Sequence, residues 1–196
     1  MVKLRPGNPP APLLDVAAPP ESSAQESFEY DSSHCYGVTG SCAIQMWRGE
    51  VLESHIPTME RRWRRLIERT GSFAILVVVL PSAPPPSPAR REEIKRLYNG
   101  LAPHIRAVGT VLEDQGIKGT TGSMVMTTIM LMSKTPYPYK NGTSIAPIAT
   151  WLCEQVRGLD RQRLVDKVET LRRQYESVCL TNFNEPLVPK LRSASR

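Results

Sequence analysis

Hydrophobic positions change their spacing along this chain of 196 residues, and each change marks an element. The clearest stretch is Phe73-Ala-Ile-Leu-Val-Val-Val-Leu80, an unbroken apolar run. It is too short to span a bilayer and the right length for a strand buried on both faces. Such strands belong to parallel sheets covered by helices on both sides. Upstream, Tyr36 to Thr39 predicts a short strand and Gly40-Ser41 a turn. Cys42-Ala-Ile-Gln-Met-Trp47 then alternates Cys42, Ile44 and Met46 against Ala43, Gln45 and Trp47, a half-buried strand that Arg48-Gly49 ends. From Pro57 to Arg69 the period lengthens. Ile56, Met59, Trp63, Leu66 and Ile67 share one helical face, and Thr70-Gly71-Ser72 closes that helix.

Beyond the apolar run the alternation continues. Ser87-Pro88 is a helix start, a hydroxyl cap followed by proline at the first helical position. Ile94, Leu97, Tyr98 and Leu101 recur at helix spacing until Pro103. Ile105 to Leu112 predicts a further buried strand, Ser123 to Ser133 an apolar helix, and Tyr137 to Lys140 an edge strand, because Pro138 lacks a donor. Thr143-Ser144 can cap a helix whose apolar face is Ile148, Trp151, Leu152 and Val156. The order predicts an α/β fold: a mostly parallel mixed sheet of four to five strands with an opening hairpin and four helices. Residues 1–33 are rich in Pro, Ala, Ser and Glu without a period, and predict a disordered leader ahead of a domain over 34–157. A C-terminal helix over 158–183 and a flexible tail over 184–196 complete the organisation.

Two local sequences add a family likeness to that element order. Trp47-Arg-Gly-Glu-Val-Leu52 looks like the strand end, glycine and apolar pair that lead into the first helix of STAS-like proteins. Ser144-Ile-Ala-Pro-Ile-Ala-Thr-Trp-Leu152 resembles their closing helix. Over about residues 35–157 the chain resembles a STAS-like domain of the anti-sigma-factor-antagonist kind. The resemblance implies a non-enzymatic role, regulation through protein contacts, switched in some members by phosphorylation or a ligand. In switchable members the acceptor Ser or Thr opens the helix after the central strand, behind an Asp and before a Gly. Here that loop is Pro81-Ser-Ala-Pro-Pro-Pro-Ser-Pro88, with only Ser82 and Ser87 as hydroxyls and neither Asp nor Gly. The polyproline reads instead as a rigid spacer or a contact surface.

Charge narrows the partner. The net charge is +6, and residues 1–41 carry two bases against five acids while 42–157 carry fifteen against nine. A basic body favours an acidic partner. Arg61-Arg-Trp-Arg-Arg65 concentrates that charge, with Arg61, Arg62, Arg64 and Arg65 flanking a Trp63 that shares the core face. The four arginines are either a solvated helix face, partly paired with Glu60 and Glu68, or a surface for an acidic partner, with nucleic acid as the third reading of the function. Gly116-Ile-Lys-Gly-Thr-Thr-Gly-Ser123 follows a strand and opens a helix. Gly116, Lys118, Gly119, Thr120, Thr121, Gly122 and Ser123 are thus candidates for a small anionic or lipid ligand, against the plainer reading of a tight strand-to-helix turn. The Met-rich helix behind it, with Met124, Met126, Met130 and Met132, is either core or interface.

Leu164, Val168, Leu171, Tyr175 and Val178 form a heptad-like seam too short for a free coiled coil. It predicts docking, either on the chain's own domain or on a second copy, so Leu164, Val168, Leu171 and Tyr175 stand with the arginines as candidate partner contacts. The four cysteines show no CxxC pair and no zinc spacing, and the three histidines lie apart, as surface or capping residues. No carboxylate pair is placed for acid–base work. The reading is a cytoplasmic, non-catalytic regulatory or scaffold module without metal or cofactor. Its partner is another protein or a second copy, and no membrane insertion is expected.

Overall fold

The computed structural model describes residues 29–113 and 136–184, with side chains to Ser177. The elements are β1 (Glu29–Tyr30), β2 (His34–Thr39), β3 (Cys42–Trp47), α1 (His55–Thr70), β4 (Phe73–Val79), α2 (Pro88–Leu101), a 3-10 turn (Ala102–His104), β5 (Ile105–Leu112), β6 (Tyr139–Gly142), α3 (Ile145–Gln155) and α4 (Arg161–Asn184). The strands form one six-stranded mixed sheet in the order β1-β2-β3-β4-β5-β6. The first three run antiparallel to one another, and β3 through β6 are parallel.

The sheet has more strands than the sequence pattern predicts because it starts inside the expected leader. β1 contributes only two residues, paired to Tyr36 and Cys35, and Asp31 makes that pairing possible. Its backbone N–H donates to the His34 carbonyl at 2.8 Å. Its Oδ1 accepts the amides of Ser33 (2.7 Å) and His34 (2.8 Å). A two-residue strand leaves no alternation to read, and the aspartate that closes the turn supplies the order instead. Other bounds shift slightly. α1 begins at His55 and absorbs Pro57 in its first turn, where a missing N–H costs nothing. β6 begins one residue after Pro138, whose carbonyl accepts the Val108 amide at 3.0 Å.

Helices cover both faces of the sheet. On the front, α1 and α2 bury Met59, Trp63, Leu66, Leu97 and Tyr98 against Tyr36, Ala43, Phe73, Ile75, Val77 and Val108. On the back, α3 and α4 bury Ile148, Leu152, Leu164, Val168 and Leu171 against Cys42, Ile44, Met46, Leu76, Val78 and Val111. β4 lies between the two layers, every residue but Val79 buried, as its unbroken apolar run predicts. Ser87 caps α2 as expected, its Oγ accepting the Arg90 amide at 3.3 Å. Ser144 occupies the cap of α3 without a side-chain bond.

The C-terminal seam docks on the chain's own sheet. Leu164, Val168 and Leu171 are fully buried and Tyr175 nearly so. Leu171 reaches the backbone of β2 at Gly37, where an added Cβ would lie 2.6 Å from its Cδ1. Arg172 completes the contact from α4 with a two-pronged ion pair to Glu113, just past the end of β5. These seam positions are therefore intrachain core rather than a surface offered to a second copy. No helix among the described residues is long and apolar enough to cross a membrane.

Candidate functional site

Where β3 ends and α1 begins, side chains far apart in sequence meet. His34, opening β2, faces Trp47 across the strand pair and stacks on it, with ring centroids 4.1 Å apart and planes at 29°. His55, the first residue of α1, approaches Trp47 edge-on at 5.2 Å and His34 at 5.5 Å. Asp31 closes the group, its Oδ2 2.7 Å from His55 Nε2. The Leu52 amide donates to His55 Nδ1 at 3.0 Å, which assigns the ring proton to Nε2 and makes it the donor to Asp31. His34 and His55 were expected at the surface or at caps; they are 4 % and 5 % exposed. His104 does stay at the surface, its Nδ1 donating to the Gly71 carbonyl at 3.0 Å.

The electrostatics follow from burial and neighbours. Burial works to raise the Asp31 carboxyl. The Ser33 amide, the His55 ring and the His34 amide outweigh it and hold the group below the ordinary carboxylate value. Burial, then the proximity of His55 and Arg62, pushes His34 down to about 3, so it is neutral at physiological pH. Its Nε2 has no hydrogen-bond partner among the described residues. Although an aspartate–histidine pair resembles acid–base machinery, both nitrogens of His55 are already engaged. What the cluster does is tie the β1–β2 turn to the head of α1. Among the described residues no group of metal-ligating side chains is placed to hold an ion.

α1 itself resolves the arginine cluster into two classes. Arg62 turns inward, ion-paired with Glu29 of β1 and lying over the Tyr36 ring at 4.7 Å. Burial pushes the Tyr36 phenol up to about 12, against the pull of Arg62 and Arg69. Arg64 pairs with Glu60 at 2.7 Å, the spacing foreseen for that pair. Arg61 and Arg65 stay exposed and outside any ion pair among the described residues. Arg69, which the sequence reading passed over, joins them one turn further on, also exposed. Residues four apart share a helix flank, so Arg61, Arg65 and Arg69 form an exposed stripe along one flank of α1.

The other candidates fall elsewhere. The Gly116–Ser123 turn, with Lys118, and the Met-rich helix lie outside the described residues, as do the leader over 1–28 and the tail beyond Asn184. Sequence reasoning missed the Asp31–His55–His34 group because its members are joined only by the fold. The run Asp31-Ser32-Ser33, whose aspartate favours a turn that caps following amides, is the one local signal that could have pointed to it. Comparison with family models, with curated proteins and with solved structures finds no match to this chain.

Proposed function

We propose that this chain is a non-catalytic regulatory or scaffold module of STAS-like type, acting through protein contacts, and that the Arg61–Arg65–Arg69 flank of α1 receives an acidic segment of its partner. The hairpin-led, alternating strand–helix order supports the family reading. The observation that carries the function is the stripe itself. It holds three arginines in register, exposed and outside ion pairs among the described residues, on a helix whose other nearby arginines are already engaged. The histidine cluster supports the non-catalytic part, since neither nitrogen of His55 is free to accept a proton.

The test compares the full chain with a variant carrying Arg61→Glu, Arg65→Glu and Arg69→Glu. Both are crosslinked to co-purifying proteins, with the crosslinks mapped to residues. The reading expects crosslinks between α1 and an acidic partner segment that disappear in the variant, while its melting temperature is unchanged. An unaltered partner set overturns it. So does substrate turnover in a metabolite screen that survives repurification. Tight DNA binding with a steep salt slope, lost in the variant, would replace the acidic protein by a polyphosphate.

A further inference from the structure

The loop joining β4 to α2 is stiffer and more ordered in its exposure than a connection needs. Ala83, Pro84, Pro85 and Ser87 each precede a proline, which steers all four away from helical backbone toward the extended polyproline conformation. Ser87 shows it directly, at φ −60° and ψ 159°. Both ends are pinned. Before the prolines, Ser82 Oγ donates to the Arg48 carbonyl at 3.0 Å, and the Ala83 amide donates to Leu80 at 3.0 Å. After them, Ser87 caps α2.

A polyproline helix repeats every three residues, and two of its three edges keep one burial class here, while the third runs from exposed Pro84 to Ser87, half-buried as the cap of α2. Ala83 and Pro86 are half-buried, with Ala83 packed on the front core, whereas Pro85 and Pro88 are exposed along with Pro84. One edge of the strut rests on the domain, and the opposite edge presents proline rings to solvent. A spacer is indifferent to which residues face outward. A recognition ridge must place apolar rings three apart on its outer edge, already in the bound conformation, so that little ordering entropy remains to be lost.

We propose that Pro84–Pro88 is a preformed docking ridge for a partner domain with an aromatic-lined groove that reads polyproline helices, and that Pro85 and Pro88 are the rings that enter it. Arg91, half-buried in the first turn of α2 and outside any ion pair among the described residues, follows the ridge in the chain and would offer a cation to an acid at the groove's end. This surface lies in a different loop from the α1 stripe and does not depend on it.

The test uses the full chain against an array of isolated SH3, WW and EVH1 domains, following the fluorescence of each groove's tryptophan. At least one domain is expected to bind saturably, and a free proline-rich peptide is expected to displace the chain. Pro85→Ser should weaken binding about tenfold, whereas Pro86→Ala, on the resting edge, should change it only about twofold. The proposal is overturned if no domain binds, if the peptide does not compete, or if Pro85→Ser has no effect. Equal losses in the two variants overturn it too, since they would show that stiffness alone matters.

Discussion

The two faces of the sheet are built from the same strands and use them in opposite ways. The back is aliphatic and close. α3 and α4 lay Ile148, Leu152 and Leu171 directly on strand backbone, at Gly109 and Gly37, with Ala74, Ala107 and Cys42 between. The front is aromatic and polar. Trp63 meets Tyr98 edge-on at 5.2 Å and Phe73 at 5.7 Å. Around them sit His34, His55, Gln45 and Arg62, and His34 Nε2, Gln45 Nε2 and Trp63 Nε1 are buried without a hydrogen bond among the described residues. On the back, close apolar packing holds most of the layer, with the Arg172–Glu113 ion pair at its rim. A layer that accepts buried polar atoms, each worth about 1–3 kcal/mol when unsatisfied, carries constraints beyond packing. The exposed arginine stripe and the proline ridge both belong to this front layer.

The contrast can be broken from the back first. Leu171→Ala removes a fully buried side chain at the point where α4 meets Gly37, and should cost about 3–5 kcal/mol in urea unfolding. Light scattering should show the same monomer-sized mass for parent and variant at low concentration. A parent that is a dimer dissolved by the substitution would mean that the seam joins two copies.

On the front, the sharper probe is pH. His34 binds no proton in the folded chain until about pH 3, but does so near 6.5 once unfolded. Between those values the unfolded state holds the extra proton, so stability is full above pH 6.5 and falls as the medium is acidified. The loss should reach a few kcal/mol by pH 4. Asp31 acts in the same direction but lower. Its depressed carboxyl contributes stability that persists above the ordinary value of 3.8 and disappears only as pH falls through its folded value. His34→Phe keeps a stacking ring on Trp47 and should flatten the urea midpoint between pH 6.5 and 4. An unchanged slope would assign the acid sensitivity to other groups.

The smallest effect returns to the back. Gly37→Ala places a methyl 2.6 Å from Leu171 Cδ1 and 2.9 Å from Cδ2, so the leucine must turn aside. Overpacking of this kind costs about 1–3 kcal/mol. Combining it with Leu171→Ala should cost less than the sum, because the smaller side chain makes room for the new methyl.

The back face was the more legible in sequence. Its seam of Leu164, Val168, Leu171 and Tyr175 reads directly as a stripe that needs a cover, although only the fold shows that the cover is β2 and its neighbours. The core of the front was equally plain in Trp63, Leu66, Ile94 and Leu97. Its polar part was not. Asp31 meets His55 across 24 positions, and Arg62 meets Glu29 across 33. No local period records such pairings, and β1 is too short to advertise the strand that brings them together. The arginine run suggested one patch, but helical geometry assigned Arg62 and Arg64 to carboxylates and recruited Arg69 from outside the run.

The sheet's strand order has a consequence for how the protein is made. Each strand from β1 to β6 lies beside the one before it, so during synthesis every new strand finds its neighbour already out of the ribosome. α4 reverses that convenience. It is translated after all six strands and packs back on β2, which leaves the rear of the first strands bare until the last described helix has emerged. A pause in translation before Arg161 would hold the nascent chain with Cys35, Met46 and the Gly37 backbone exposed, when a holding chaperone has most to offer.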